Sequence, residues 1–151
     1  MKISLGGITD NKHNKYFRIE GRLAIMNISK FTQKSIQAVN DLEKLAYEYG
    51  NQEIEHEHLL YTLLTQEDSL ILKLIEKMDI NKEYFINVVK KALDAKVKVS
   101  GGELRFGQYL NKALVNAEDE AKAMGDEYVS VEHLFLALLK YPSPSMKKIF
   151  N

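Results

Sequence analysis

A chain of 151 residues with 45% hydrophobic and 28% charged side chains has the length and composition of one folded, water-soluble domain. Lys and Arg (21) balance Asp and Glu (21), so no overall field recruits nucleic acid or an anionic membrane. Cysteine is absent, which removes disulfides, thiolate metal sites and cysteine nucleophiles, and no apolar run approaches the ~20 residues of a membrane helix.

In chain order, the first segment differs from the rest. Residues 1–25 carry five basic and two acidic side chains (net +3), and the remainder carries 16 basic and 19 acidic ones (net −3). Gly6-Gly7, Asp10-Asn11 and Asn14 are turn formers, whereas helical periodicity takes over from Asn27. Met26 is therefore read as the start of the domain proper, spanning 26–151. Three readings of the extension stay open. Ile19-Glu20-Gly21-Arg22 spells a tag-cleavage site, Met26 is an alternative start, and Lys2–Ile8 with Tyr16–Ile25 are strand-compatible. No function is assigned to it. Met1–Gly7 lacks the apolar core of a secretory signal, and a cytoplasmic location is the expectation.

From residue 31 the chain repeats itself. Phe31–Leu64 aligns without a gap with Phe106–Leu139, and 11 of 34 positions are identical, where chance gives roughly two or three. In the first copy Ala38, Val39, Leu42, Ala46 and Tyr49 fall on one helical face, and Ala113, Leu114, Ala117, Ala121 and Met124 do so in the second. Gly50 and Gly125 then stop these helices. Second helices are predicted at His56–Thr65 and Val131–Lys140, the latter capped by Ser130. Copy one continues with helices at Ser69–Met78 and Asn81–Ala95, where Asn81 caps. An exposed linker, 96–102, separates repeat one (26–95) from repeat two (103–151). In repeat two Pro142 and Pro144 delimit a short helix at Ser145–Phe150, and the partner of Asn81–Ala95 is missing, so this repeat reads as incomplete at its C-terminus. The fold class is all-α, a tandem pseudo-twofold repeat of small helical bundles.

Certain motifs point to a family. Phe31-Thr32, then Gly50-Asn51-Gln52-Glu53-Ile54 followed by Glu57-His58-Leu59-Leu60, resembles the Clp N-terminal repeat. Gly125-Asp126-Glu127-Tyr128-Val129-Ser130-Val131-Glu132-His133-Leu134 resembles its second copy. The opening Met26-Asn27-Ile28-Ser29-Lys30-Phe31-Thr32 and the Gly101-Gly102 linker look most like the ClpB disaggregase branch, with ClpC and ClpA next.

That resemblance implies the substrate-engaging N-terminal domain of an AAA+ unfoldase, with a shallow apolar groove at the junction of the repeats. Its ligands would be exposed apolar segments of unfolded or aggregated proteins, with no nucleic acid or membrane partner. Matching the family's functional positions points to Thr32, Asp126 and Glu132 as polar contributors and to Leu114 as an apolar groove residue. Each has a plain structural alternative. Thr32 is placed to cap a helix, Asp126 to satisfy turn amides, Glu132 to favour a helix dipole, and Leu114 to fill the core. The resemblance further implies no cofactor in this chain, with ATP and magnesium held by downstream modules. It also implies a monomeric isolated domain within a hexameric whole protein. The alternative is docking of an adaptor or co-chaperone, as in a ClpC- or ClpA-type protease component. A passive spacer is a further possibility.

Catalysis finds little support in the residues. A phosphate loop needs G-x-x-x-x-G-K-[ST], and Gly102–Gly107 is followed by Gln108-Tyr109, without the lysine or the hydroxyl. His56-Glu57-His58 looks like a metal-ligand cluster, the basis for a rival reading as a metal-dependent hydrolase. Residues two apart on a helix, however, diverge by about 200°, and His58 recurs as His133. A repeated structural role at the start of the second helix is the expectation.

Overall fold

The computed structural model describes residues 8–11, 14–19, 22–24 and 28–150. In the extension, β1 (Ile8–Asn11), β2 (Asn14–Ile19) and β3 (Arg22–Ala24) form an antiparallel meander. Its middle strand lies against a 3-10 turn at Ile28–Lys30. Of the strand-compatible stretches, Lys2–Gly7, Glu20-Gly21 and Ile25 lie outside the described residues, as does Met26.

Seven α-helices follow among the described residues: α1 (Gln33–Glu48), α2 (His56–Thr65), α3 (Leu70–Lys77), α4 (Lys82–Asp94), α5 (Gln108–Ala123), α6 (Val131–Lys140) and α7 (Pro144–Phe150). Local chemistry sets their ends. The Ser35 N–H donates to Thr32 Oγ1, the Leu72 N–H to Ser69 Oγ, and the Tyr84 N–H to Asn81 Oδ1, so α1, α3 and α4 each begin on a side-chain cap. Gly50 (φ +69°) and Gly125 (φ +71°) take the left-handed conformation that ends α1 and α5, which a Cβ would disfavour. The helices sit where the periodicity puts them. The predicted apolar faces overrun at one point: Met124 is 56% exposed, because α5 has already ended there and the stripe emerges onto the surface.

By the 75-residue offset, α5, α6 and α7 repeat α1, α2 and α3. The two copies do not form separate bundles. Leu42, Leu59 and Leu63 from repeat one share one buried cluster with Leu110, Leu134 and Leu138 from repeat two. Helix α6 packs on α1, α2 and α3. Short backbone pairings reinforce this seam in both directions. Strand β4 (Glu53–Ile54) pairs in parallel with β5 (Arg105–Phe106), the entry to repeat two. Reciprocally, Phe31, the entry to repeat one, bridges Val129 of repeat two.

Candidate functional site

The motif histidines act as helix caps. The N–H of Glu55 donates to His58 Nδ1 (2.9 Å), and in the second copy the Ser130 N–H donates to His133 Nδ1 (2.9 Å). A ring nitrogen that accepts an amide proton carries none of its own, so the proton sits on Nε2. From there His58 donates to Asn51 Oδ1 (3.0 Å) and His133 to Asp126 Oδ2 (2.8 Å). Each histidine thus bolts the start of a repeat's second helix to the turn after its first. Burial, then the positive charges of Lys96 and Lys98, push the His58 ring down to about 4, so it is neutral at physiological pH.

His56 has no histidine counterpart in repeat two, where Val131 occupies its place, and it serves the seam. Its Nδ1 accepts the Ser143 N–H (3.3 Å) and its Nε2–H donates to the Tyr109 carbonyl (2.8 Å), which ties α2 to α5 and to the loop before α7. Burial lowers its proton affinity as well. Both nitrogens of both rings are therefore engaged, on different partners. Among the described residues no group of three His, Cys, Asp or Glu side chains converges as a metal site.

Between them lies Glu57, 1% exposed. Burial works against its charge, but the Ser145 hydroxyl and the Lys96 ammonium (3.2 Å) outweigh it and hold the carboxyl below the ordinary range. Lys96 also reaches Glu55 (2.9 Å), and its own side chain is 13% exposed. The linker is thus anchored. The Val99 N–H donates to the Gly50 carbonyl (2.9 Å), Asn51 Nδ2 donates to the Val97 carbonyl (3.1 Å), and the Lys98 ammonium lies 5.3 Å from the centre of the Tyr49 ring.

The positions suggested by resemblance are only partly brought together. Thr32 caps α1, and its N–H donates to the Val129 carbonyl (2.9 Å), which puts it on the seam. Asp126 lines a pocket of about 250 Å³ beside that bridge, with Lys30 from one repeat and Ala121, Lys122, Glu127 and Val129 from the other. Glu132 is exposed in the first turn of α6. Leu114 is 4% exposed and lies in the shared core, the arrangement its place on the repeated apolar face explains. Lys30, Val129 and Tyr128 were not singled out from the sequence. The signal that finds the first two is the offset itself, since Lys30 and Val129 are the counterparts of Arg105 and Ile54.

Comparison with known proteins agrees with this geometry. Residues 30–151 match the Clp repeat (R) N-terminal domain family. The chaperone protein ClpB of Nitratidesulfovibrio vulgaris is 38% identical over 126 residues, covering 80% of this chain and 15% of that protein. The chain therefore spans about one-seventh of the length of that curated relative. The Hsp104 N-terminal domain from Candida albicans superposes with a TM-score of 0.72 at 25% identity, covering 81% of this chain and 80% of that one. A ClpV N-domain in complex with a VipB peptide superposes with a TM-score of 0.65 at 21% identity, covering 82% and 78%. The fold, the doubled motif and the sequence agree: the chain belongs to the Clp repeat N-terminal domain family.

Proposed function

We propose that this domain captures exposed apolar segments of unfolded or aggregated proteins and presents them to an ATP-driven ring carried by the rest of a ClpB-type protein. One observation carries this reading. At the repeat seam a pocket lined by the buried Ala121 and Val129 opens between charged side chains from both repeats, and Tyr128, half exposed, lies in sequence between the lining residues Glu127 and Val129. An apolar lining with a charged rim suits weak, sequence-tolerant capture. Thr32, Asp126 and Glu132 would line the path of the segment. Leu114 offers almost no area in this conformation, so it would contribute only if its cover shifts. That a ClpV N-domain of the same fold holds a VipB peptide supports a protein segment as the ligand class.

The mixed charges of the rim (Lys30, Glu118, Lys122, Asp126 and Glu127) favour a second reading, docking of a folded adaptor. Salt separates the two, because exposed ion pairs weaken with ionic strength and apolar contacts do not. The test is fluorescence anisotropy of a labelled, permanently unfolded, apolar-rich polypeptide. Client capture predicts binding that persists at high salt and weakens severalfold in Tyr128→Ser. Binding to a folded variant at unchanged strength, or none at all, contradicts it.

A further inference from the structure

Two connections of the chain meet on one buried carboxylate. The first is the linker, which leaves α4 at Lys96 and crosses the turn after α1. There the Val99 N–H donates to the Gly50 carbonyl and the Asn51 side-chain amide donates to the Val97 carbonyl. Its aliphatic side chains stay outside the core, with Val97 79% and Val99 41% exposed. A cavity of about 470 Å³ lies beside it, lined by Asn51, Gln52, Val97, Val99 and Arg105. The linker is thus a strap held by polar contacts, and its ion-paired anchor is the Lys96 ammonium, 2.9 Å from Glu55 and 3.2 Å from Glu57. A segment that buries so little apolar area opens at low free energy.

The second connection is the entry to α7. Ser143, buried, caps that helix: the Met146 N–H donates to its Oγ (3.3 Å) and the Lys147 N–H to its carbonyl (3.0 Å). Helix α2 holds this entry at two adjacent residues. His56 Nδ1 accepts the Ser143 N–H, and Glu57 accepts the Ser145 hydroxyl. Met146, fully buried, completes the seat. Glu57 therefore has a cation from the strap and a donor from α7 as its partners, with almost no contact with solvent. Repeat two does not repeat this arrangement. Val131 and Glu132 take the places of His56 and Glu57, and valine offers no acceptor while Glu132 is exposed.

A carboxylate so buried keeps its charge only while its partners are in place. If the strap lifts, Lys96 leaves with it, and Glu57 must take up a proton or draw water inward past α7. If α7 lifts, water reaches the Lys96–Glu57 pair and weakens its attraction by raising the local dielectric. Each departure lowers the cost of the other, and such a coupling is equal in both directions. We propose that Glu57 is a clasp that makes docking of the linker and docking of α7 mutually dependent, so that a disturbance of the connection between the repeats is transmitted to the last described helix. The clasp needs no ligand, so it stands or falls apart from the capture reading.

Amide hydrogen exchange of the full chain tests it, read at Val99 for the strap and at Met146 and Lys147 for α7, each relative to Ala117 in the shared core. Lys96→Met is expected to speed exchange at Met146 and Lys147 about tenfold, the scale of one charge-assisted hydrogen bond. Because that variant strands a buried charge, the milder Ser145→Ala supplies the reciprocal arm, with exchange at Val99 expected to rise severalfold. In Glu57→Gln, which keeps the shape and removes the charge, adding Ser145→Ala should no longer affect Val99. Lys98→Met disturbs the strap where it lies over Tyr49, away from Glu57, and should leave α7 unchanged. Three results overturn the proposal. They are a Lys96→Met effect confined to the linker, a Val99 response to Ser145→Ala that is absent or survives in Glu57→Gln, and an α7 response to Lys98→Met as large as that to Lys96→Met.

Discussion

Glu57 and Glu132 stand at the same turn of corresponding helices, each followed by the same histidine and leucine, yet one is buried and the other exposed. The difference comes from what lies over them. Repeat one has a lysine-bearing linker and α7 above its α2, and repeat two has no such cover over α6 among the described residues. A buried carboxylate is tolerated only when paired, and Lys96 and Ser145 supply that pairing. The pair of repeats teaches that duplication has kept the scaffold, the histidine cap and the glycine turn, while the surroundings of the two corresponding glutamates have diverged.

The largest effect expected is in the shared core. Leu63→Ala and Leu138→Ala, counterparts that are both fully buried, should each cost about 3 kcal/mol in urea unfolding. Both should keep a single transition, because the leucines belong to one cluster; a split transition in either would show that the repeats unfold separately. Next, Lys96→Met strands Glu57 in the interior and should destabilise by about 3 kcal/mol, whereas Glu132→Gln, its exposed mirror, should leave the melting temperature nearly unchanged.

Acid should discriminate as well. The His58 ring titrates near 4 in the folded chain and near 6.5 when unfolded, so between those values the unfolded state binds more protons. Stability therefore rises with pH across that window and is lost as pH falls through it, by up to about 3 kcal/mol from this group. His58→Gln should flatten that slope in chemical denaturation at stepped pH, and an unchanged slope would assign it to other groups. The smallest effects test the symmetry of the turns. Gly50→Ala and Gly125→Ala should each cost about 1 kcal/mol, equally, since both have φ near +70° and neither Cβ would meet an atom closer than 3.6 Å.

Much of this was legible in the sequence. Asn81 caps α4 as expected, Ser69 caps α3 from the position read as its first helical residue, and Gly50 and Gly125 end their helices because only local backbone geometry decides those points. The two-residue strands β4 and β5 have no periodicity to read, so the interlocking of the repeats stayed hidden behind a picture of two adjacent bundles. The burial of Glu57 was equally invisible. The histidine and leucine that follow it are the same as those after Glu132, and its charge partner is Lys96, 39 positions downstream. Leu114 shows the converse, since its place on a repeated apolar face foretold its burial, and only the family resemblance suggested a groove.

The most direct test of the account is an amide shift map of the full chain titrated with a permanently unfolded, apolar-rich polypeptide. The account predicts shifts that cluster around Thr32, Asp126, Tyr128 and Glu132, survive high salt, and leave the Gly50–Asn51 turn undisturbed beneath its linker. Shifts spread evenly over both repeats, or none at saturating polypeptide, would contradict it.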